Sequence, residues 1–362
     1  MKDRRVGLEQ ELFLVDDEGV LSNRADEFLA RSHELAEDKG QNPDDFAPEC
    51  ARSLVEVSTP PAASVDALAD EYLGSLRLAL HAARDLGLRL YPLATYPLPV
   101  TPDMRDELHY RIQTRTMGWE KFLHAGRCAG VHLHLEVAPG TIDSQVGVSY
   151  ESSGAAREEL LNVYNLATAL DPAIIALTRS SPFYEGELQE VTARTAYYRG
   201  SPEFAPSGLY ADLVAVGGLQ PYAEGVENLV ELQFSRYREW LAAMERAGVG
   251  RGLFEEAGDG LLDAAWNPVR LNAHGTVELR GIDGNYPTVV LGMARLITGA
   301  IGRVLDEGLT VKPTKEVGTL ELDGRFLRVP DLEYVGKDLF RAAASMGMES
   351  LEVGAYIDSV LE

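Results

Sequence analysis

Two glutamates near the start of the chain are the first residues whose type and spacing suggest chemistry. Glu9 and Glu11 lie two residues apart in the apolar stretch Val6–Val15, which predicts a β-strand. Side chains at that spacing share one face of a strand, so the two carboxylates would repel each other as they lose hydration. A divalent cation with oxygen ligands, most simply Mg²⁺, would offset that repulsion. Taken alone, the segment favours a simpler alternative, an edge strand whose glutamates point into water.

A second pair of acids flanks the strand predicted at residues 54–59, which a pair of prolines ends. Glu49 and Glu56 are seven residues apart, so one unbroken strand would place them on opposite faces. They converge only if residues 50–53 turn or bulge. If the face of Glu56 is solvated, that residue is an ordinary surface acid.

Two histidines occupy a third predicted strand. Residues 130–137 alternate strictly between apolar and polar side chains, which predicts a strand with one polar face. His132 and His134 lie on that face. A single histidine in a strand is usually a structural residue, whereas two at this spacing favour binding of a metal or a phosphate.

The segment 266–283 predicts a hairpin that turns at His274 and Gly275. On its second strand, Glu278 and Arg280 share a face. One interpretation is an exposed ion pair, which contributes little to stability. The other is a metal-binding carboxylate beside a guanidinium that binds phosphate.

Further arginines lie near predicted turns. Arg194 and Arg199 occur in the stretch 194–206, which we predict to be a loop, and Arg179 meets a turn-rich segment at the end of a predicted helix. Arginines in such places are usually solvated. In an enzyme with an anionic substrate they are candidates for clamping it.

The remaining sequence predicts a scaffold that could bring these residues together. Each of the four strands has an apolar opposite face, so we expect neighbours in one curved antiparallel sheet whose polar faces line a funnel. A further strand is predicted at residues 88–95. Helices are predicted at 24–39, over about twenty residues after Ser64, and at 103–125, 155–178, 225–247, 288–308 and 330–361, with a break or kink at Asp171-Pro172.

Composition limits the function classes. The 362 residues are 45% hydrophobic and show no linker or repeat, so we predict one domain over residues 1–362. The net charge of −24 argues against a nucleic-acid binder, and any polyphosphate substrate would need local arginines and bound cations. Apolar runs are too short to span a bilayer and no secretory signal is visible, so we expect a cytoplasmic protein. Cys50 and Cys128 form no close metal-binding pair.

Five motifs occur in order between residues 7 and 283. They are Gly7-Leu8-Glu9-Gln10-Glu11, Glu49 with Glu56 followed by Val-Ser-Thr-Pro, Gly130-Val131-His132-Leu133-His134, Arg179-Ser-Ser-Pro-Phe, and Gly275-Thr276-Val277-Glu278-Leu279-Arg280. Together they resemble the type 2 glutamate–cysteine ligase family, a group of carboxylate–amine ligases in the glutamine-synthetase-like superfamily. The length and an all-helical C-terminal end, as predicted here, are also similar to that family.

The resemblance implies an α+β fold in which a curved antiparallel sheet, packed with helices, forms a funnel-shaped active site of the glutamine-synthetase-like type. It implies two or three Mg²⁺ ions, or Mn²⁺, held by Glu9, Glu11, Glu49, Glu56, His132 and Glu278. Arg280 would contact a phosphoryl group, with Glu278 and His134 as the other catalytic residues. The candidates for binding ATP or the amino-acid carboxylate are Arg280, Arg270, Arg179, Arg194 and Arg199.

The family's reaction, which the resemblance implies here, activates a carboxylate with ATP. The side chain of glutamate attacks the γ-phosphorus, giving an acyl phosphate and ADP, and an amine then displaces phosphate. Cysteine is the expected acceptor. Another small amine, or a weakly active paralogue that binds metal or amino acid, is the alternative, as are ammonia-dependent glutamine synthesis, guanidino-compound phosphorylation and metal-dependent hydrolysis. The expected partners are small molecules, with no nucleic acid and no membrane, and a homo-oligomer is compatible with the sequence.

Overall fold

A seven-stranded antiparallel sheet forms the centre of the computed structural model, which describes residues 4–200 and 204–362. Residues 201–203 of the predicted loop at 194–206 lie outside the described residues. In chain order the strands of the sheet are β1 Val6–Val15, β2 Phe46–Pro48, β3 Leu54–Ser58, β4 Arg89–Tyr91, β5 Gly130–Glu136, β6 Val269–Asn272 and β7 Thr276–Asp283. Their spatial order is β6-β7-β5-β1-β3-β2, and β4 also pairs with β1.

The sheet is built around β1, because this strand pairs with three others. β5 pairs with its first half, where Glu9 lies opposite His132. β3 pairs with its second half, where Glu11 lies opposite Glu56. β7 pairs with the other edge of β5. The four strands predicted to carry acids and histidines are therefore neighbours in one antiparallel sheet, as expected.

A bulge interrupts the pairing of β7 with β5. The register shifts between Leu279 and Ile282, so Arg280 and Gly281 lie within the irregularity. Just before it, Glu278 lies opposite His134. A bulge bends its strand and changes the direction of the side chains it carries. The direction of the Arg280 side chain therefore depends on this local irregularity.

Helices surround the sheet: α2, α5 and α9 pack against its apolar face, whereas residues of α3 line the cavity on its polar face. They are α1 Ala25–Lys39, α2 Val65–Asp85, α3 Leu108–Met117, α4 Trp119–Phe122, α5 Gly154–Thr178, α6 Val214–Gly217, α7 Val226–Arg246, α8 Arg251–Glu256, α9 Pro287–Asp306, α10 Phe340–Ser345 and α11 Leu351–Leu361. Three-residue 3₁₀ turns lie at Pro43–Asp45, Ala125–Arg127 and Gly347–Glu349, and π-helical segments lie at Arg194–Gly200 and Tyr334–Leu339.

The alternation of the strands explains where the core sits. Leu8, Leu133 and Val277 point away from the polar face and are at most 1% exposed. They belong to one apolar cluster with residues of α5 and α9. α5 packs on both α9 and β7, so this helix lies directly behind the strands that carry the polar residues.

Two predicted elements are shorter in the structure. The helix predicted at 103–125 begins at Leu108, and Gly118, whose φ is 89°, separates α3 from α4. The strand predicted at 88–95 is limited to β4, because Pro92 has no N–H to donate to a strand ladder.

Three other predictions were wrong. The C-terminal end is not all helical, because β8 Thr310–Thr314, β9 Glu321–Asp323 and β10 Phe326–Pro330 form a small mixed sheet between α9 and α10. Residues 194–200, which were predicted to begin a loop, form the π-helical segment Arg194–Gly200 instead. α5 continues through Pro172, so of the predicted break or kink the break is wrong; burial on nearly every side offsets the hydrogen bond that proline cannot make.

Two helices, α5 and α9, are long and apolar enough to cross a membrane by length and composition. The short apolar runs of the sequence did not indicate this, because polar residues interrupt them. Within the most apolar 18-residue windows, 89% of the residues of α5 and 44% of those of α9 are buried in the protein. Core helices of soluble proteins share these properties, so the two helices are weak evidence for membrane insertion.

Gln10 is a buried polar residue on the helix-facing side of β1, and its contacts give a test of the fold. Its Oε1 accepts a hydrogen bond from Tyr72 of α2, and its Nε2 donates to the carbonyl of Asn285 at 2.8 Å. Tyr72→Phe would leave Oε1 buried without that donor. We expect the free energy of unfolding, measured with urea, to fall by about 1–3 kcal/mol. Tyr150→Phe, at a side chain that is 77% exposed, is the matched control and should change it by less than about 0.5 kcal/mol.

Candidate active site

The polar face of the sheet forms the floor of a cavity of about 300 Å³. Its lining includes most of the residues predicted to do chemistry, namely Glu9, Glu11, Glu49, Glu56, His132, Arg270 and Arg280. Glu278 and His134 lie just behind this lining, in contact with Arg280 and Glu9 respectively. The structure therefore brings together residues that are up to about 270 positions apart in the chain.

Glu9 is the acid that both histidines contact. Its carboxylate oxygens lie 3.1 Å from Nδ1 of His132 and 3.2 Å from Nε2 of His134. Burial by itself would raise the pKa of Glu9, but the two imidazoles outweigh burial and hold this pKa well below its usual range. Glu9 is therefore ionised, which is the form that binds a cation.

The two histidines differ in their surroundings. Burial, together with Arg280, lowers the pKa of His132. Burial also acts to lower the pKa of His134, but Glu9 and Glu278 outweigh it and raise that pKa. Nε2 of His132 is buried without a hydrogen-bond partner among the described residues, whereas Nε2 of His134 lies against the carboxylate of Glu9. A buried polar atom without a partner is costly, so Nε2 of His132 is suited to a further ligand.

Glu278 is fully buried and holds two arginines. Oε1 accepts from Nη1 of Arg280 at 2.5 Å, and Oε2 accepts from Nε of Arg270 and Nδ2 of Asn272, both at 2.6 Å. Burial alone would raise the pKa of Glu278, but Arg270 and Arg280 hold it well below the usual range. The simple ion pair considered from the sequence is therefore buried and shared, and Asn272 is a contact that the sequence did not indicate.

The remaining acids repel one another. Residues 50–53 form a turn, in which the N–H of Leu54 donates to the carbonyl of Ala51 at 3.0 Å, and this turn brings Glu49 and Glu56 to one cavity. Burial and then Glu11 raise the pKa of Glu49 to about 8. Burial and then Glu9 raise the pKa of Glu56 well above its usual range. A divalent cation among these acids would offset the repulsion that adds to burial in both shifts.

Two trios of these side chains have the geometry of cation sites. Donor atoms of Glu9, His134 and Glu278 lie within 4.8 Å of one another, and so do those of Glu9, Glu56 and His132. We call these five residues the acid cage. Carboxylates are preferred ligands of Mg²⁺ and Mn²⁺, and imidazole is the softer partner that Mn²⁺ accepts more readily. Together with Nε2 of His132, which lacks a partner among the described residues, this donor set fits a pair of divalent cations that share Glu9.

Three of the predicted arginines do not line this cavity. Arg199 is buried and forms a two-point ion pair with Asp171 of α5, at 2.6 and 2.8 Å. Arg194 is 4% exposed and donates through Nη2 to the carbonyl of Arg280 at 3.1 Å. Arg179 is exposed at the end of α5 and donates to the carbonyl of Ser345. Because the first two are buried in internal contacts and the third faces away, the expectation that they clamp substrate is corrected.

Several cavity residues were missed from the sequence. They are His109, Tyr110 and Gln113 of α3, Tyr198 of the π-helical segment, and Tyr210, Asp259, Asp263 and Trp266. His109 and Gln113 are four residues apart within a predicted helix, which places them on one face and was a usable signal. Asp259 and Asp263 lie in irregular structure after α8, where no periodicity marks them.

Comparison with known proteins gives consistent similarities. The family described as glutamate–cysteine ligase family 2 matches residues 5–330. A Thermobifida fusca protein provisionally named glutamate–cysteine ligase 2 is 25% identical over 314 residues, which cover 85% of this chain and 66% of the relative. The glutamate–cysteine ligase of Halobacterium salinarum is 25% identical over 298 residues, covering 79% and 66%. The chain spans only part of such relatives: the matches to the Thermobifida fusca protein and to two Streptomyces relatives cover 56% to 66% of the length of each.

Two solved structures share the fold. The glutamate–cysteine ligase of Francisella tularensis in complex with AMP gives a TM-score of 0.59 at 12% identity, over 98% of this chain and 74% of that one. A bifunctional glutathione synthetase from Pasteurella multocida gives 0.54 at 13% identity, over 99% and 45%. The predicted α+β fold, with its antiparallel sheet and packed helices, is therefore confirmed.

The raised pKa of Glu49 leads to a prediction about proton release. Because this pKa is about 8, the group is largely protonated at neutral pH without a cation, and a cation favours its carboxylate form. Binding of Mg²⁺ should therefore release protons, and affinity should rise with pH and level off above about 8. Titration calorimetry in buffers of different ionisation enthalpy would count the protons. Glu49→Gln should release fewer, and a wild-type protein that releases none near neutral pH would contradict the assignment.

Proposed function

Because the chain belongs to glutamate–cysteine ligase family 2, whose model matches residues 5–330, we propose that it is an ATP-dependent carboxylate–amine ligase. The proposed reaction joins the γ-carboxylate of glutamate to cysteine through γ-glutamyl phosphate and yields γ-glutamylcysteine, ADP and phosphate. Mg²⁺ is the proposed metal, and Mn²⁺ is the alternative.

The observation that carries this proposal is the acid cage. Five acids and imidazoles, three of them buried and two partly buried, supply two trios of donor atoms within 4.8 Å of one another, at a cavity that two arginines also line. A reaction between a carboxylate and a polyphosphate brings two anions together. At about 4 Å each pair of unit charges costs on the order of 4 kcal/mol at an effective dielectric constant of 20. Divalent cations held by the cage would neutralise this charge and orient the phosphates.

The arginines are suited to the phosphoryl group. Arg280 donates through Nη1 to Glu278 and lies 3.2 Å from Nδ1 of His132, while its buried Nε has no hydrogen-bond partner among the described residues. That free donor could bind an oxygen of the transferring phosphoryl group. Arg270 reaches the same carboxylate from the neighbouring strand. In-line phosphoryl transfer needs mainly such positioning and charge neutralisation.

A second cavity supports a reaction of two anions. It has a volume of about 270 Å³ and shares Glu9 and His134 with the acid cage, while Arg5, Thr59 and His274 are among its other lining residues. The cage therefore lies between two cavities. Two anionic substrates could approach the same cations from separate sides, which avoids bringing them together before cations are in place.

The chain's own nucleophiles are poorly suited to a covalent route. Cys50 and Cys128 line the first cavity, but both are buried. Burial, the largest cause in each case, raises both thiol pKa values above their usual range. Direct attack of the substrate carboxylate on phosphorus is therefore the proposed first step.

One observation favours another small amine as a second candidate acceptor. Among the described residues that line the first cavity, the arginine and lysine side chains are those of Arg270 and Arg280. Both form ion pairs with Glu278. Cysteine would add its own carboxylate to a cavity with six acids. An amine without a carboxylate avoids that repulsion.

Other parts of the proposal concern the whole molecule. A single catalytic domain over residues 1–362, a cytoplasmic location and a homo-oligomeric state stay predictions. The roles of Glu9, Glu11, Glu49, Glu56, His132 and Glu278 in metal binding, of Arg280, Glu278 and His134 in catalysis, and of Arg270 and Arg280 in ATP binding are proposals of the same kind.

A product assay tests the proposed reaction. The purified protein would be incubated with ATP, Mg²⁺, glutamate and separate amines that include cysteine, methylamine and ammonia. We expect ADP release that requires glutamate, with γ-glutamyl products identified by mass spectrometry. ATP turnover without any glutamyl product, or no turnover with any amine, would refute the ligase proposal.

Glu9→Gln tests the acid cage directly. Because Glu9 belongs to both trios, its loss should lower glutamate-dependent ADP formation by at least about 100-fold. Glu321→Gln, at an exposed glutamate of β9, is the matched control and should keep wild-type turnover. Thermal unfolding of both variants would show whether the fold is retained. Wild-type turnover in Glu9→Gln would show that the cage is not the metal site.

A further inference from the structure

An imidazole and a carboxylate face the cavity from a wall that the acid cage does not use. Nδ1 of His109, on α3, lies 2.8 Å from Oδ2 of Asp259, which follows α8. The His109 side chain is 36% exposed and that of Asp259 is 13% exposed, so the imidazole reaches the cavity while its partner is mostly covered. The backbone N–H of Asp259 donates to the carbonyl of Phe254 at 3.1 Å, which holds the main chain of Asp259 at the end of α8.

The contact with Asp259 defines the form of the imidazole. Because a carboxylate only accepts, Nδ1 of His109 carries the hydrogen that Asp259 accepts, and in the neutral ring Nε2 carries the lone pair. The side-chain amide of Gln113, one helical turn after His109, lies 2.5 Å from this Nε2. This is the arrangement of a general base with a carboxylate that orients it. The group now at Nε2 is the amide of Gln113, a residue that is 6% exposed, and an N–H group of a substrate would have to displace that amide.

His109 also differs from the other imidazole that lines this cavity. His132 lies in the acid cage, between Glu9 and Arg280. The groups that face His109 are Asp259, Gln113 and the ring of Tyr110, whose centre is 5.5 Å away. Of the two described imidazoles that line this cavity, His109 is therefore the one outside the acid cage.

We propose that His109 is the general base for the acceptor amine, with Asp259 as a positioning residue, in an inference that rests on the proposed ligase function. An amine that arrives as R–NH₃⁺ loses one proton to Nε2 of His109. The freed electron pair forms the C–N bond to the acyl phosphate. The C–O bond to the phosphate then breaks, and the phosphate leaves with the electron pair of that C–O bond. It takes the second proton from the nitrogen. The products are the amide, hydrogen phosphate and protonated His109.

Two nucleophiles distinguish this role from a structural one. Methylamine is almost wholly protonated at neutral pH and needs a base, whereas hydroxylamine is largely unprotonated and does not. Both would be supplied with ATP, Mg²⁺ and glutamate to wild type and His109→Gln, and the γ-glutamyl methylamide and hydroxamate would be measured. His109→Gln should lose roughly 100-fold in methylamide formation and less than about threefold in hydroxamate formation. Cysteine, also an ammonium ion at this pH, should follow methylamine.

Matched variants complete the test. His81→Gln, at an exposed histidine of α2, should behave as wild type with both nucleophiles. Asp259→Asn should lose methylamide formation selectively, but by a smaller factor than His109→Gln. Equal losses with both nucleophiles, or no loss with either, would overturn the role of His109. A wild-type protein that forms neither ADP nor hydroxamate would instead refute the ligase function itself, and this inference with it.

Discussion

Repulsion between buried carboxylates is the constraint to which much of this structure responds. β1 places Glu9 and Glu11 on one face, and β3 adds Glu56 directly opposite Glu11. The protein supplies some relief of its own through two histidines and two arginines. The remaining repulsion adds to burial, the larger cause, in raising the pKa of Glu49 to about 8. This repulsion persists only because the surrounding fold holds the acids in place, and it favours the binding of cations.

The alternation of side chains along strands could be read from the sequence, and it correctly assigned residues to faces. Glu9 with Glu11, and His132 with His134, follow from the two-residue period alone. The order of the strands and their register could not be obtained this way, because they depend on contacts between distant segments. The convergence of Glu49 with Glu56 required a turn that the sequence permitted but did not demand.

Arginines were the least predictable part of the site. Their long side chains reach partners that lie far away in the sequence, so a position near a turn says little about what the guanidinium contacts. Arg199 and Arg194 illustrate this, because both contact the bulge of β7. Arg199 packs against Gly281 while bound to Asp171, and Arg194 holds the carbonyl of Arg280. Residues that looked like ligand clamps thus help to orient the arginine that does face the cavity.

His109 and Asp259 show a different limit. They are 150 residues apart, and neither lies in a motif of the sheet. Recognising them needed the cavity itself, which is enclosed by helices and irregular segments as well as by strands. The sheet could therefore be anticipated from sequence patterns, whereas the walls that select a substrate could not.

The use of both faces of β1 has a consequence for how this protein can diverge. Glu9 serves the cavity while its neighbour Gln10 is locked into the core by Tyr72. Deleting or inserting a single residue within the strand would exchange these two environments for every position beyond it. Substitutions can accumulate in β1 one at a time, but changes of length cannot. Over evolutionary time, insertions and deletions should therefore collect in the turn after Val15, and the count of residues from Gly7 to Phe13 should stay constant.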